Sequence, residues 1–296
     1  MIAKEHSIFS QDCPVGHISS LVSTNIILPE GPLLSCKQCS HMVSSCTKGR
    51  YNFTMQQFNT HEGTLPNAAT ANRGFRLHSK RLKLIQKILK LPAENIHILD
   101  IGCSSGSFLK AARKLGFNIE GVEPAPAAAA TAKNYGFKIY ESVAESKNIP
   151  KDYFNALTMF EVIEHLDNPK HILKQCKNIL KPGGILIIGT GNTDSWTQRF
   201  MGAKWEYYDI NKHGGHISFF NPYSIKLLAD DVGFKVISIG TRNVKFLEKN
   251  ETINIRYRLT KILTELLNFP AQLIGKGHDM LVVLQRFSKE YEIEEC

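Results

Sequence analysis

The sequence predicts an α/β fold, a mostly parallel sheet covered by helices on both faces, preceded by a small cysteine-rich segment. Three observations predict it. From Ile96 onward, short apolar strands alternate with amphipathic helices. Glycines stand where those helices should stop, at Gly116, Gly136 and Gly233. Cys13, Cys36, Cys39 and Cys46 crowd into the first 46 residues, out of seven cysteines in the chain.

Composition divides the chain into three segments. Residues 1–47 are rich in Cys and Ser, with short β-like runs such as "NIIL". Residues 48–90 are polar and helix-prone, and end in "LHSKRLKLIQKILK", whose Leu82, Ile85, Ile88 and Leu89 fall on one side of a helix. Residues 91–296 carry the α/β pattern. "IHILDIG" is its first strand and "SFLKAARKLG" a helix ending at Gly116. "FNIEGVE" is the second strand, and the alanine-rich "PAPAAAATAKNYG", with prolines in its first turn, the next helix. "FKIYES" is a third strand, and a fourth lies in "FNALTMFEVIEHL". "PKHILKQCKNILKPGG" is a helix that Pro-Gly-Gly should stop. "ILIIGT" is the fifth strand. After a long loop, "NPYSIKLLADDVG" is a helix capped by Asn221 with Pro222 at its first position. "FKVISIG" and "DMLVVLQRF" are the last two strands.

The bulk properties bound the function. The chain has 296 residues, of which 21% are charged, as in ordinary globular domains. No window approaches the roughly 18 consecutive apolar residues of a membrane span. The first residues lack the apolar core and small-residue cleavage site of a secretory signal, so a cytoplasmic protein is expected. With no signal and an odd cysteine count, a disulfide framework is not expected. Cys103 and Cys176 fall inside the α/β pattern and read as buried small residues. The net charge is +9, but Lys and Arg are dispersed along the chain. A nucleic-acid binder would gather them on one face, so nucleic acid is not the expected partner.

The loop "ILDIGCSSGSF" carries the chemistry. Open parallel sheets bind ligands beyond the carboxyl ends of their strands. Gly102 and Gly106 allow close backbone approach, and the helix that follows offers free N–H groups. Glu123 ends the next strand, 21 positions after Gly102, where a carboxylate grips ribose hydroxyls. The loop lacks the middle glycine that admits a pyrophosphate, and no Lys-Ser/Thr follows it. Asp100 would repel phosphates but suits a cationic amino-acid moiety. An adenosine carrying a sulfonium and an amino acid fits.

"ILDIGCSSGSF" with "GVEP", "FEVIEHLDNP" and "LKPGGILII", in that order, resembles the class I S-adenosylmethionine-dependent methyltransferases over about residues 75–287. The resemblance implies a Rossmann-like sheet of seven strands with the last one antiparallel. It implies that Asp100 and Gly102 border the methionine part of the cofactor, with Cys103, Ser104 and Gly106 around it. Glu123 would take both ribose hydroxyls, and Pro124 would shape the adenine edge. Val143 and Ala144 would flank the adenine, and Phe160 and Glu161 would line the cofactor after the fourth strand. The family usually has glycine at the place of Ser104. A helical lid over residues 48–90 is expected, with Arg73 or Arg76 as candidates to meet the cofactor carboxylate.

Methyl transfer from a sulfonium is a direct displacement that must also dispose of a proton when the nucleophile is a hydroxyl. Candidate catalytic residues stand in two places. Glu164 and His165 follow the fourth strand. His213 and His216 stand in the long loop after the fifth strand, near Trp205, Tyr207 and Tyr208. The alternative for Glu164 is a local structural pairing. "HGGHISFF" resembles a segment that closes over the acceptor in a subfamily with ubiquinone-pathway O-methyltransferases and enzymes of sugar or natural-product modification. No Asn-Pro-Pro-Tyr-like tetrapeptide follows the fourth strand, which argues against N-methylation of a base or glutamine.

The two remaining segments add expectations. Cys36-Lys-Gln-Cys39 is half of a zinc knuckle, and members of this subfamily often open with two such pairs. Here Cys13 and His17 would supply the other half, giving a Cys3His structural zinc site. The alternative is a ribbon that holds no metal. Residues 245–275 form an acceptor-side insertion. It contains an apolar face near Arg256, Arg258 and Lys261, which is either packed on the acceptor loop or, over 253–275, in contact with a membrane. The expected activity is S-adenosylmethionine-dependent methylation, at oxygen, of a small-molecule or lipid-linked metabolite of quinone, sugar or natural-product type. The rivals are C-methylation of a sugar, an RNA methyltransferase, and a non-catalytic zinc-ribbon binding protein with a vestigial methyltransferase fold.

Overall fold

The computed structural model describes residues 12–60, 68–143, 148–246 and 255–287. The cysteine-rich segment folds as a hairpin of β1 (Leu21–Leu28) and β2 (Gly31–Cys36), followed by the short β3 (Met42–Val43). Two helices follow, α1 (Lys48–Thr60) and α2 (Ala68–Leu89). The α/β region then runs β4 (His97–Ile101), α3 (Ser107–Lys114), β5 (Asn118–Val122), α4 (Pro126–Asn134), β6 (Ile139–Tyr140), β7 (Phe154–Phe160), α5 (Pro169–Ile179) and β8 (Leu180–Gly191). The loop after β8 folds into α6 (Trp196–Met201), α7 (Ile210–His213) and the two-residue β9 (Ser218–Phe219). The chain closes with α8 (Pro222–Val232), β10 (Phe234–Arg242), α9 (Ile255–Leu273) and β11 (Asp279–Arg286).

Seven strands form one sheet in the order β10-β11-β8-β7-β4-β5-β6. β4, β5, β6, β7 and β8 pair in parallel, while β11 runs antiparallel between β8 and β10. The expected architecture, including the antiparallel last strand, is therefore the observed one. Alternate residues of each strand serve opposite faces. Ile98, Ile185 and Ile187 pack with Leu82 and Ile85 of α2 and Phe108 of α3. Their neighbours Leu99, Leu186 and Ile188 pack on the other side with Leu173 and Cys176 of α5 and Leu228 of α8. Both faces are dry, which is why the strands read as unbroken apolar runs.

Local signals act largely as expected. Asn221 caps α8 in a full capping box with Ser224, and Pro222 stands in its first turn. Two details differ. The helix expected to run into Pro-Gly-Gly stops at Ile179, because Pro182 disfavours helical backbone in the residue before it and β8 already begins at Leu180. The cysteine-rich segment is also not self-contained. β3 pairs with β9, so a four-stranded sheet β1-β2-β3-β9 takes its last strand from the loop before α8. Among the described residues, no helix is long and apolar enough to cross a membrane.

Candidate active site

The loop after β4 is drawn tight by its own backbone. Gly102 and Cys103 both donate to the Val122 carbonyl at 2.9 and 3.0 Å. Gly102 has φ +75, and a Cβ there would stand 2.4 Å from Val162 Cγ2, so only glycine fits. Gly106, also left-handed, opens α3. Ser104 holds a left-handed backbone at φ 48. That conformation costs a non-glycine residue about 1 kcal/mol, which explains the glycine usual at this place. The Ser104 N–H points at Glu123 and donates to its Oε2 at 2.8 Å, while Ala125 N–H donates to Oε1 at 2.9 Å. Glu123 is thereby fixed at the tip of β5, with one lone pair left on each oxygen. Burial raises its carboxyl pKa against these two bonds.

Asp100 is deeper than its motif suggests. It is buried between β4 and β7 and accepts from the Thr158 hydroxyl at 2.6 Å. Cys103 and Val143 are buried, and Pro124 is exposed. Ala144 lies outside the described residues.

A cavity of about 490 Å³ opens at the carboxyl ends of β7 and β8, beside the end of β10 and the start of β11. Arg81, Phe160, Glu161, Thr190, Arg242 and Asp279 line it. Arg73 and Arg76 are exposed, and it is Arg81, from the same helix, that enters the cavity with its guanidinium 3.7 Å from the centre of the Phe160 ring. Glu161 stands at φ 54, a strained backbone for a glutamate, pinned by its N–H to the Gly189 carbonyl at 2.8 Å. Its carboxyl pKa is pushed up, first by burial and then by the adjacent Glu164.

The other four candidate residues form a cluster of their own. Glu164 is fully buried and accepts from the Tyr207 hydroxyl at 2.5 Å and the Thr190 hydroxyl at 3.0 Å. Tyr207 in turn accepts from Gly191 N–H, and a Cβ at Gly191 would clash with the tyrosine ring at 2.6 Å. The carboxylate thus ties the loop after β8 back to the sheet. His216 sits with Nδ1 2.8 Å from the Tyr207 carbonyl, so Nδ1 carries the proton and Nε2, 3.8 Å from Glu164, is the basic nitrogen. His165 packs edge-on against His216 at 4.5 Å, and His213 stacks on it at 4.9 Å. Burial lowers His165 and His216 to about 4, so both are neutral at pH 7.

At the far end of the N-terminal sheet, Cys13, His17, Cys36 and Cys39 bring their ligand atoms within 4.8 Å of one another. The Cys13 and Cys39 sulfurs are 3.6 Å apart, and Cys36 Sγ lies 3.4 Å from His17 Nδ1. Tetrahedral zinc with bonds of ~2.0–2.3 Å requires separations of roughly 3.5–3.8 Å. Cys46 is not part of this group and packs with Ile210 and Ile217. The Asn221 amide donates to the Cys39 and Ser40 carbonyls, which fastens the knuckle to the start of α8.

Residues 74–239 match a family described as "Methyltransferase domain", more than half of the chain. The chain belongs to this family. It is an S-adenosylmethionine-dependent methyltransferase. A ubiquinone biosynthesis O-methyltransferase of Coxiella burnetii is 28% identical over 169 residues, covering 54% of this chain and 71% of that protein. One of Cereibacter sphaeroides is 32% identical over 123 residues, covering 39% and 50%. Among solved structures, a putative methyltransferase of Bacillus halodurans superposes with a TM-score of 0.51 at 14% identity, over 71% of this chain and all of that one. A SAM-dependent methyltransferase of Archaeoglobus fulgidus gives 0.50 at 17%, over 71% and 94%. Both structures share the fold. Sequence reasoning about this methyltransferase missed Arg81, Thr190, Arg242 and Asp279. They converge from four distant segments and form no local pattern. A basic residue at helical spacing from Leu77 and Ile85, both inward-facing, was the one available signal for Arg81.

Proposed function

We propose that this methyltransferase methylates a hydroxyl oxygen of a small-molecule or lipid-linked acceptor, of quinone, sugar or natural-product type, held in the cavity at the ends of β7, β8 and β11. The observation that carries the reading is a cavity at the strand ends with an acidic residue in strained backbone, Glu161, in its wall. The likeness to proteins named ubiquinone biosynthesis O-methyltransferases supports oxygen as the target.

S-adenosylmethionine, when bound, supplies a methyl group activated on a sulfonium. The loop fits it, since the left-handed Gly102 keeps the turn tight and the fixed Glu123 carboxylate keeps one lone pair on each oxygen for the hydroxyls of a nucleoside. In this reading Gly102, Cys103, Ser104 and Gly106 cradle the methionine part, and Glu123 accepts both ribose hydroxyls. Pro124 and Val143 would edge the adenine, and Phe160 and Arg81 would line the cofactor's methionine end. Glu161 beside a bound sulfonium ionises more readily. It then takes the proton of the acceptor hydroxyl as that oxygen accepts the methyl. Glu164, saturated by Tyr207 and Thr190, positions the acceptor wall. His165, His213 and His216 complete that wall, and His216 Nε2 is the second candidate for the base. Cys13, His17, Cys36 and Cys39 hold a structural zinc.

Methylation of catechol and hydroquinone probes tests the reaction. Glu161→Gln should lower kcat about a hundredfold with the affinity for S-adenosylhomocysteine unchanged. A larger loss in His216→Gln than in Glu161→Gln would move the base to the imidazole. Binding of S-adenosylhomocysteine without methylation at any oxygen would remove the O-methyltransferase reading.

Asp100 makes cofactor binding depend on pH. Burial raises its carboxyl to about 7, against the Thr158 hydrogen bond and the Arg81 charge. Because the folded pKa is raised, the group's contribution to stability is full below the unfolded value near 3.8 and is lost as pH rises through about 7. A cation bound beside Asp100 reverses that shift, so binding expels a proton. Affinity for S-adenosylmethionine should therefore fall as pH drops below 7, by up to about tenfold per unit. Calorimetry at several pH values should show this, and Asp100→Asn should flatten the profile.

A further inference from the structure

Helix α9 is built inside out. A surface helix normally turns its apolar stripe toward the core. On α9, Ile262, Leu266, Phe269 and Leu273 follow the spacing of one helix face, with Leu263 and Ile274 at its margin. All six are at least half exposed, and Leu266 and Phe269 are each 70% exposed. The face turned toward the body is mixed, with the half-buried Leu267 among small or polar residues. Thr264 and Ala271 are buried, and Asn268 accepts from the Val244 N–H at 2.6 Å. Phe200 of α6, 68% exposed, enlarges the patch through Phe246, whose tilted ring lies 4.7 Å from it and which lies two residues beyond Val244. An outward apolar stripe of this extent, larger than the apolar surface the helix turns inward, marks a surface that works covered.

The charge around it selects the cover. Arg199, Lys204 and Lys245 are exposed beside the patch, on α6, on the turn after it, and on the segment that Asn268 anchors. α9 itself carries Arg256, Arg258 and Lys261 in its first half, against the single acidic residue Glu265. An apolar stripe rimmed by basic residues is the chemistry of an interfacial helix on an anionic bilayer. We infer that α9 and Phe200 seat this protein on a membrane surface rich in anionic lipid. The apolar stripe enters the headgroup boundary and the basic rim meets lipid phosphates. The helix adjoins the cavity through the chain, since Arg242 in the cavity wall precedes the anchored Val244 by two residues. An acceptor carried in the bilayer would meet the protein on that side. The inference does not depend on which atom is methylated.

Vesicle co-sedimentation of the full chain tests it, with phosphatidylcholine alone and with phosphatidylcholine mixed with phosphatidylglycerol. The wild type should sediment with the mixed vesicles and roughly tenfold less with phosphatidylcholine alone, and high salt should release it. Leu266→Glu with Phe269→Glu should cut binding to the mixed vesicles at least about tenfold. Both positions are exposed, so melting temperature and S-adenosylhomocysteine affinity should be unchanged in that variant, which separates loss of docking from loss of fold. Arg199→Glu with Lys204→Glu, both exposed, should weaken vesicle binding by about tenfold and leave the fold intact. Failure of the wild type to sediment with the mixed vesicles overturns the inference. So does a lipid-free dimer that Leu266→Glu with Phe269→Glu dissolves, since a second copy would then be the cover.

Discussion

Glu123→Ala is expected to weaken binding of S-adenosylhomocysteine about a thousandfold, measured by calorimetry. The carboxylate would lose two charge-assisted bonds to ribose hydroxyls, together worth about 4 kcal/mol. It would also release the Ser104 and Ala125 N–H groups, both of which donate to it at the loop. Because Ser104 sits in a left-handed conformation, losing that tether favours relaxation of the turn. Glu123→Gln keeps the shape but offers one oxygen in place of two, and should fall between the wild type and alanine. Unchanged binding in Glu123→Ala would sink the assignment of this loop to the cofactor.

The second large effect is expected at the cysteine knuckle. Purified protein should contain one zinc per chain by atomic emission. Cys39→Ser should remove it, and should lower stability by several kcal/mol, since a structural zinc contributes its binding energy directly to folding. The loss should be uneven. β3 pairs with β9, and Asn221 holds the Cys39 carbonyl, so the acceptor side should loosen and α8 should lose protection in hydrogen exchange. The cofactor loop belongs to the other sheet, and its affinity for S-adenosylhomocysteine should change less than about threefold. Wild-type protein that holds no zinc after growth with zinc supplied would overturn the site.

The parts of this architecture legible in the sequence are those whose determinants are local. Ile98, Leu99 and Ile101 are apolar on both faces because both faces are covered, and that reads as a buried strand. Gly102, Gly106 and Glu123 occupy fixed offsets along one strand-loop-helix unit, so one segment discloses them. The cavity is different. Arg81, Glu161, Arg242 and Asp279 meet through tertiary packing, and no spacing rule connects them. Glu161 and Glu164 show the limit most sharply. They stand three apart in one motif, the first expected to line the cofactor and the second to be catalytic or structurally paired. A left-handed backbone at Glu161 turns the first into the cavity, while a short 3-10 turn carries the second into the core. Sequence marks both as acidic and conceals that one faces an open cavity and the other a tyrosine hydroxyl.

The borrowed strand of the small sheet also sets an order of events during synthesis. Met42 and Val43 emerge from the ribosome early, yet their partners Phe219 and Ser218 lie beyond the whole cofactor-binding half. Closing so long a loop is slow and entropically costly, so the sheet is completed late. The four knuckle residues, by contrast, all lie within positions 13 to 39 and exist as a set long before Ser218 and Phe219 are made. A metal taken up there would hold the nascent β1–β2 hairpin in register while its edge waits for β9, and would shield that edge from pairing with a neighbouring chain. Starved of zinc, cells making this protein should accumulate it as aggregate through a fault in the knuckle, even with every residue of the cofactor loop intact.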